Sequence, residues 1–139
     1  MGKYLGQIAL LVRDYDEAIE FFVNKLHFEL LEDTVLNEAK RWVVISPGFE
    51  KQGCHILLAK AKNKEEEASI GNQTGGRVFL FLYTDQFETD YQNLLQHNIE
   101  IVRGPLVEEY GKVLVFKDLY GNLWDLIARV SNFESPRSM

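Results

Sequence analysis

The chain has 139 residues, 46% of them apolar and 26% charged, with a net charge of −6. That suits one buried core or two small halves sharing one. The acidic balance excludes a non-specific nucleic-acid binder, which needs a cationic surface, and no apolar run approaches the roughly 20 residues of a membrane span.

The first element, Gln7 to Val12, reads as a buried strand. The spacing of Tyr15, Ile19, Phe22, Val23 and Leu26 then predicts a helix with one apolar face, capped by Asp14 or Asp16. A short strand at Phe28 to Leu31 and a β-rich run at Arg41 to Ser46 follow. A turn at Pro47-Gly48 leads to a last strand, Cys54 to Ala59. The single cysteine, Cys54, cannot close a disulfide within the chain and reads as a small structural residue. With no apolar leader at the N-terminus, a reducing cytoplasm is the expected home. Residues 61–76, AKNKEEEASIGNQTGG, are polar and end in two glycines. They read as a mobile, solvated linker, or as a segment lying over a cavity mouth.

The order then starts again. Arg77 to Leu82 is strand-like, and Phe87, Tyr91, Leu94 and Leu95 mark a helix capped by Thr84 or Asp85. Strands follow at Glu100 to Arg103, Lys112 to Lys117 and Leu123 to Ala128. Gly104-Pro105, Gly111 and the stretch from Asp118 to Asn122 read as turns. Matching elements lie 68 to 72 positions apart. The expected fold is α+β, one domain of two tandem βαβββ modules. Module one covers about 4–61, the linker 62–76, module two about 77–130, and a frayed tail 131–139.

The stretches IALLVRDYDEAIEFFVNKLHFELLED and GKVLVFKDLYGNLWDLI resemble the vicinal oxygen chelate superfamily: glyoxalase I, bleomycin-resistance proteins and extradiol dioxygenases. The first is similar to the family's opening strand, helix and Leu-Gly-Phe turn, with His27 standing where glycine is usual. The second is similar to its closing Asp-Pro-Asp-Gly-Asn hairpin, with Leu119 and Tyr120 in place of Pro and Asp. The resemblance implies two curved half-sheets around a cavity with the helices outside. In metal-using members four side chains from the sheets hold one divalent ion. Those four positions fall on Gln7, Leu57, Arg77 and Asp125. Leu57 cannot coordinate, and Arg77 is a fixed cation. The expectation is therefore no metal and no cofactor. A divalent ion held by Gln7, His55 and Asp125 is the alternative. An ion pair between Arg77 and Asp125 is expected where the ion normally sits, with a solvent-facing Arg77 as the other possibility.

Strand parity assigns the cavity face. It takes Gln7, Ala9 and Leu11, then His55, Leu57 and Ala59, then Arg77, Phe79 and Phe81, and finally Leu123, Asp125 and Ile127. The intervening Ile8, Leu10, Val12, Val78, Leu80, Leu82, Trp124 and Leu126 face the helices. Trp42 and Tyr110 are placed to cover the mouth, or in the case of Trp42 simply to pack.

Such a lining suits a small organic ligand with a few polar groups. The reading is a glyoxalase/bleomycin-resistance-like protein with a degenerate metal site, binding a small, partly apolar molecule. The alternatives are a metal-dependent glyoxalase-like lyase or dioxygenase, and a metal-free enzyme using Asp125 or His55 as acid-base group. The resemblance also implies a homodimer. Neither nucleic acid nor membrane is an expected partner.

Overall fold

Ile8, Leu10 and Val12 alternate along β1 (Gln7–Val12) with Gln7, Ala9 and Leu11. The first set is the more deeply buried, with Leu10 and Val12 wholly enclosed. Each fully buried aliphatic side chain of this kind contributes about 1.5–3 kcal/mol. This structure, a computed structural model, describes residues 2–48, 53–109 and 111–129. The chain divides into two units, Met1–Gln73 and Thr74–Met139. Each has four strands.

In the first unit, β2 (Glu29–Val35), β3 (Arg41–Ser46) and β4 (His55–Lys60) join β1 in the order β1-β4-β3-β2. β1 runs parallel to β4 and the other neighbours are antiparallel. The crossover from β1 carries α1 (Tyr15–Ile19), capped by Asp14, whose Oδ2 accepts from the Glu17 N–H at 2.9 Å. The helix continues as a π-helix over Glu20–Lys25. This widened turn changes the buried face. Periodicity pointed to Ile19, Val23 and Leu26, which are only half-buried, whereas Ala18 and Phe21 join Tyr15 and Phe22 in the core. Phe22 packs between Phe21 and Phe28, at 5.1 and 5.8 Å between ring centroids. His27, in the family's glycine position, adopts a left-handed φ of 62°.

The second unit repeats the plan: β5 (Val78–Thr84), a helix at Phe87–Gln96, β6 (Ile101–Glu108), β7 (Gly111–Lys117) and β8 (Leu123–Ala128), in the order β5-β8-β7-β6. Trp124 and Phe116 stack at 5.8 Å beneath this sheet. The Asp118–Asn122 turn forms as expected, closed by the Gly121 N–H on the Asp118 carbonyl at 3.1 Å, with Gly121 at φ 95°.

Gly104-Pro105 is not a turn. It lies inside β6 at a bulge, where Gly104 has φ 88° and an added Cβ would meet the Val113 carbonyl oxygen at 2.8 Å. Gly111 opens β7 and is no separate turn. The expected linker is also structured. Lys64–Ser69 form α2, capped by Asn63, and we number the helix of the second unit α3. Beyond α2, the Gln73 amide lies along the edge of β1, accepting from the Leu11 N–H at 2.7 Å and donating to the Ala9 carbonyl at 3.2 Å. The α3 helix starts at Gln86 without a side-chain cap. Thr84 instead accepts from the Gln86 N–H and donates to Asp90. Among the described residues, no helix is long and apolar enough to cross a membrane. Tyr110 and the tail from 130 lie outside the described residues.

Candidate functional site

Cross-strand partners project to the same side of a sheet. In the second unit Phe81 pairs with Asp125, Asp125 with Val115, and Val115 with Arg103. An aromatic ring, a carboxyl, an isopropyl group and a guanidinium thus stand in one row across four strands, on the face opposite the helix. The next row holds Tyr83, Ile127 and Val113. Phe81 and Tyr83 are more than half exposed, at 58% and 57%. The Arg129 guanidinium lies over the Tyr83 ring, 5.3 Å from its centroid.

Asp125 is half-buried, and its Oδ1 is shut from solvent with no hydrogen-bond partner. Burial pushes its carboxyl above the usual carboxylate range, and the charge of Arg103 pulls weakly the other way. The two residues are two strands apart, about 10 Å at Cα, and they form no ion pair. The expected pairing of Asp125 with Arg77 is overturned. Arg77 precedes β5 and is exposed, and the charge Asp125 feels is that of Arg103. The reason is a bulge in β5. Val78 pairs with Leu123 and Leu80 with Trp124, which leaves Phe79 as the extra residue. Alternation counted back from Phe81 therefore fails before Leu80.

In the first unit the matching row is Ala9, Leu57, Val44 and Glu32. Gln7 pairs with His55 one step along. Gln7 and Ala9 are exposed, and His55 and Leu57 are half-buried. The His55 Nε2 is buried without a hydrogen-bond partner. Trp42 is half-buried on β3 opposite Thr34.

The donor chemistry fits a metal poorly. Of Gln7, Leu57, Arg77 and Asp125, only the first and last carry an atom able to ligate a cation, and a metal site needs three or more protein ligands. Within either unit, among the described residues, no three His, Cys, Asp or Glu side chains gather to hold an ion. What the second sheet offers is a desolvated carboxyl that accepts a hydrogen bond, or donates one when protonated, beside two exposed rings. Arg103 and Tyr83 escaped the sequence reading. β5 was expected to end at Leu82 and β6 at Arg103, and both strands run further. The one available signal was the repeat itself, since Arg103 lies level with Glu32 of the first unit.

The chain has relatives at several distances. An uncharacterized protein of Shewanella frigidimarina (strain NCIMB 400) is 55% identical over 128 residues, covering 91% of this chain and 94% of that protein. The crystal structure of UcmS2 is similar with a TM-score of 0.78 at 26% identity, over 91% of this chain and 98% of that one. TnmS3, an antibiotic binding protein from Streptomyces sp. CB03234, superposes with a TM-score of 0.73 at 23% identity, over 92% and 97%. The profile of the Glyoxalase/Bleomycin resistance protein/Dioxygenase superfamily matches residues 4–126, from just before β1 into β8. With both modules inside that match and the strand order repeated in each, the chain belongs to the glyoxalase/bleomycin resistance protein/dioxygenase superfamily.

Proposed function

We propose that this protein binds a small, partly apolar organic molecule and that its family metal site is degenerate. The observation that carries the reading is Asp125. Its Oδ1 is withdrawn from water, has no partner, and stands in a row with an exposed phenylalanine. A buried polar atom without a partner costs about 1–3 kcal/mol. A ligand N–H or O–H at that oxygen recovers the loss, while the Phe81 and Tyr83 rings cover an apolar body. On the second sheet the proposed lining includes Phe79; Gln7, Ala9, His55 and Leu57 are proposed as the face that the first sheet offers a ligand. Arg77, exposed ahead of β5, is left out. TnmS3 supports the reading only in showing that a fold of this kind serves an antibiotic-binding protein; the likeness carries the fold, not the ligand. The same reading takes the protein as a cytoplasmic homodimer, on the single cysteine and the family resemblance.

Native mass spectrometry of freshly purified protein tests it. The expected spectrum shows two chains and an organic adduct lost in Asp125→Asn. One tightly held equivalent of nickel, zinc, iron or manganese, lost in the same variant, would instead support a metal-dependent lyase or dioxygenase.

A further inference from the structure

A second row of polar groups lies on the first sheet. Gln7 is the ladder partner of His55, and Glu29 that of Ser46. In the register of β3 on β4, Val44 faces Leu57 and Ile45 faces Ile56. One residue further, Ser46 comes level with His55. Amide, imidazole, hydroxyl and carboxyl therefore stand side by side on the face opposite the helix.

Two atoms in this row are shut from solvent without a hydrogen-bond partner: His55 Nε2 and Glu29 Oε2. Ser46 stands between them, 1% exposed, its hydroxyl turned to donate to the Gly48 carbonyl at 3.0 Å. His55 and Glu29 are two strands apart, about 10 Å at Cα, with the short Ser46 side chain between them. Glu29 forms no ion pair with a described residue. The matching row of the second unit is closed. Lys117 occupies the Ser46 position and its Nζ lies 3.8 Å from Glu100, while Leu123 replaces His55.

Buried polar atoms in folded proteins are normally satisfied. Here both orphaned atoms can accept hydrogen bonds, one is a carboxyl oxygen, and no described residue forms an ion pair with it. We propose that this row is a subsite for the protonated amidine, guanidine or primary amine of a small molecule. One N–H bonds to Glu29 Oε2. A second bonds to His55 Nε2, with the imidazole neutral and its proton on Nδ1. The Glu29 carboxylate repels an anion here. One imidazole and one carboxylate two strands apart serve a metal ion poorly.

The test titrates the full-length protein with benzamidine, with benzoate as the anionic control. Calorimetry gives affinity, and nitrogen NMR follows the His55 ring and the backbone amides. Benzamidine is expected to bind at least tenfold more tightly than benzoate, to shift His55 Nε2, and to move amides of β2, β3 and β4. Glu29→Gln is expected to weaken it at least tenfold. Should that variant fail to fold, His55→Gln and the His55 shift in the unaltered protein decide the matter. Absence of benzamidine binding, equal binding of benzoate, or an unmoved His55 resonance overturns the inference. Shifts centred on Asp125 also overturn it, yet leave the proposed function standing. A metal at Asp125 sinks the proposed function and leaves this row untouched.

Discussion

The first unit sets Leu57 where the second sets Asp125, and the second sets an ion pair, Lys117 with Glu100, where the first leaves His55 Nε2 and Glu29 Oε2 buried without a hydrogen-bond partner. Strand order, crossover and one bulge are the same in both. Leu31 is the extra residue of β2 between Leu30 and Glu32, and Val102 that of β6 between Ile101 and Arg103. Backbone architecture was evidently kept through the repeat while individual positions on one sheet face diverged. A leucine-to-aspartate difference leaves the hydrogen-bond ladder untouched and changes what the face can recognise. The scaffold therefore reports the family, and only the unlike positions report the ligand.

The largest expected contrast lies in the turns ahead of the closing strands. In the second unit Asp118, 5% exposed, accepts from the Trp124 indole N–H, the Asn122 side-chain amide and the backbone N–H groups of Tyr120 and Asn122. Burial still pushes its carboxyl upward, against the pull of those donors. Asp118→Ala strands several buried donors and is expected to cost about 3–5 kcal/mol in urea unfolding. Among the described residues, the turn of the first unit holds one comparable side-chain bond, from Ser46 to Gly48. Ser46→Ala is expected to cost about 1 kcal/mol. Equal losses would show that the two turns carry the same weight.

Asp125→Leu gives the second unit the centre of the first. Removing a desolvated, unpartnered carboxyl is expected to stabilise the fold by about 1–3 kcal/mol at pH 7, while abolishing the organic adduct. The pH dependence sharpens the contrast, because the two units hold carboxyls shifted in opposite directions. Asp125 is raised by burial, so its contribution is full below the unfolded value near 4 and is lost as pH rises through the folded one. Asp125→Asn should therefore gain on the unaltered protein as pH climbs above about 4. Asp33 is lowered, chiefly by its hydrogen bond from Arg41. Its contribution is present above the unfolded value and lost as pH falls. Asp33→Asn should be the weaker protein at neutral pH and match it in acid. The difference is expected to stay below about 1 kcal/mol, since solvent screens so open a pair. Thermal melts between pH 3 and 8 read both slopes.

Much of this fold is legible before any coordinate. β1, β3 and β8 run where their apolar residues place them, because a half-buried strand shows its period of two directly. Bulges are not legible that way. An extra residue such as Phe79 leaves composition unchanged and inverts the phase behind it, which removed Arg77 from the face. The π-helix shifted the buried face of the first helix for a similar reason. The α2 helix was readable: Asn63 accepts from the Glu66 N–H, and Glu66 reaches back to the Lys62 N–H, a reciprocal pattern written as Asn-x-x-Glu. Glu29 and Ser46 were invisible as partners, since only the ladder brings β2 and β3 level with His55.

The smallest effect separates a linker that holds from a residue that merely sits beside it. Gln73→Ala removes two hydrogen bonds on the edge of β1 and is expected to cost about 1 kcal/mol, because water replaces them only in part at a half-buried site. Arg77→Ala, four residues later, is expected to melt within about 0.5 kcal/mol of the unaltered protein. Its side chain is exposed and supplies no ion pair. A double-mutant cycle of Arg77→Ala with Asp125→Leu isolates any coupling between those two side chains. If Arg77→Ala lost several kcal/mol, and lost it only while Asp125 remained, the guanidinium would be holding that carboxyl after all. The unsatisfied oxygen on which the proposed ligand depends would then be filled by the protein itself.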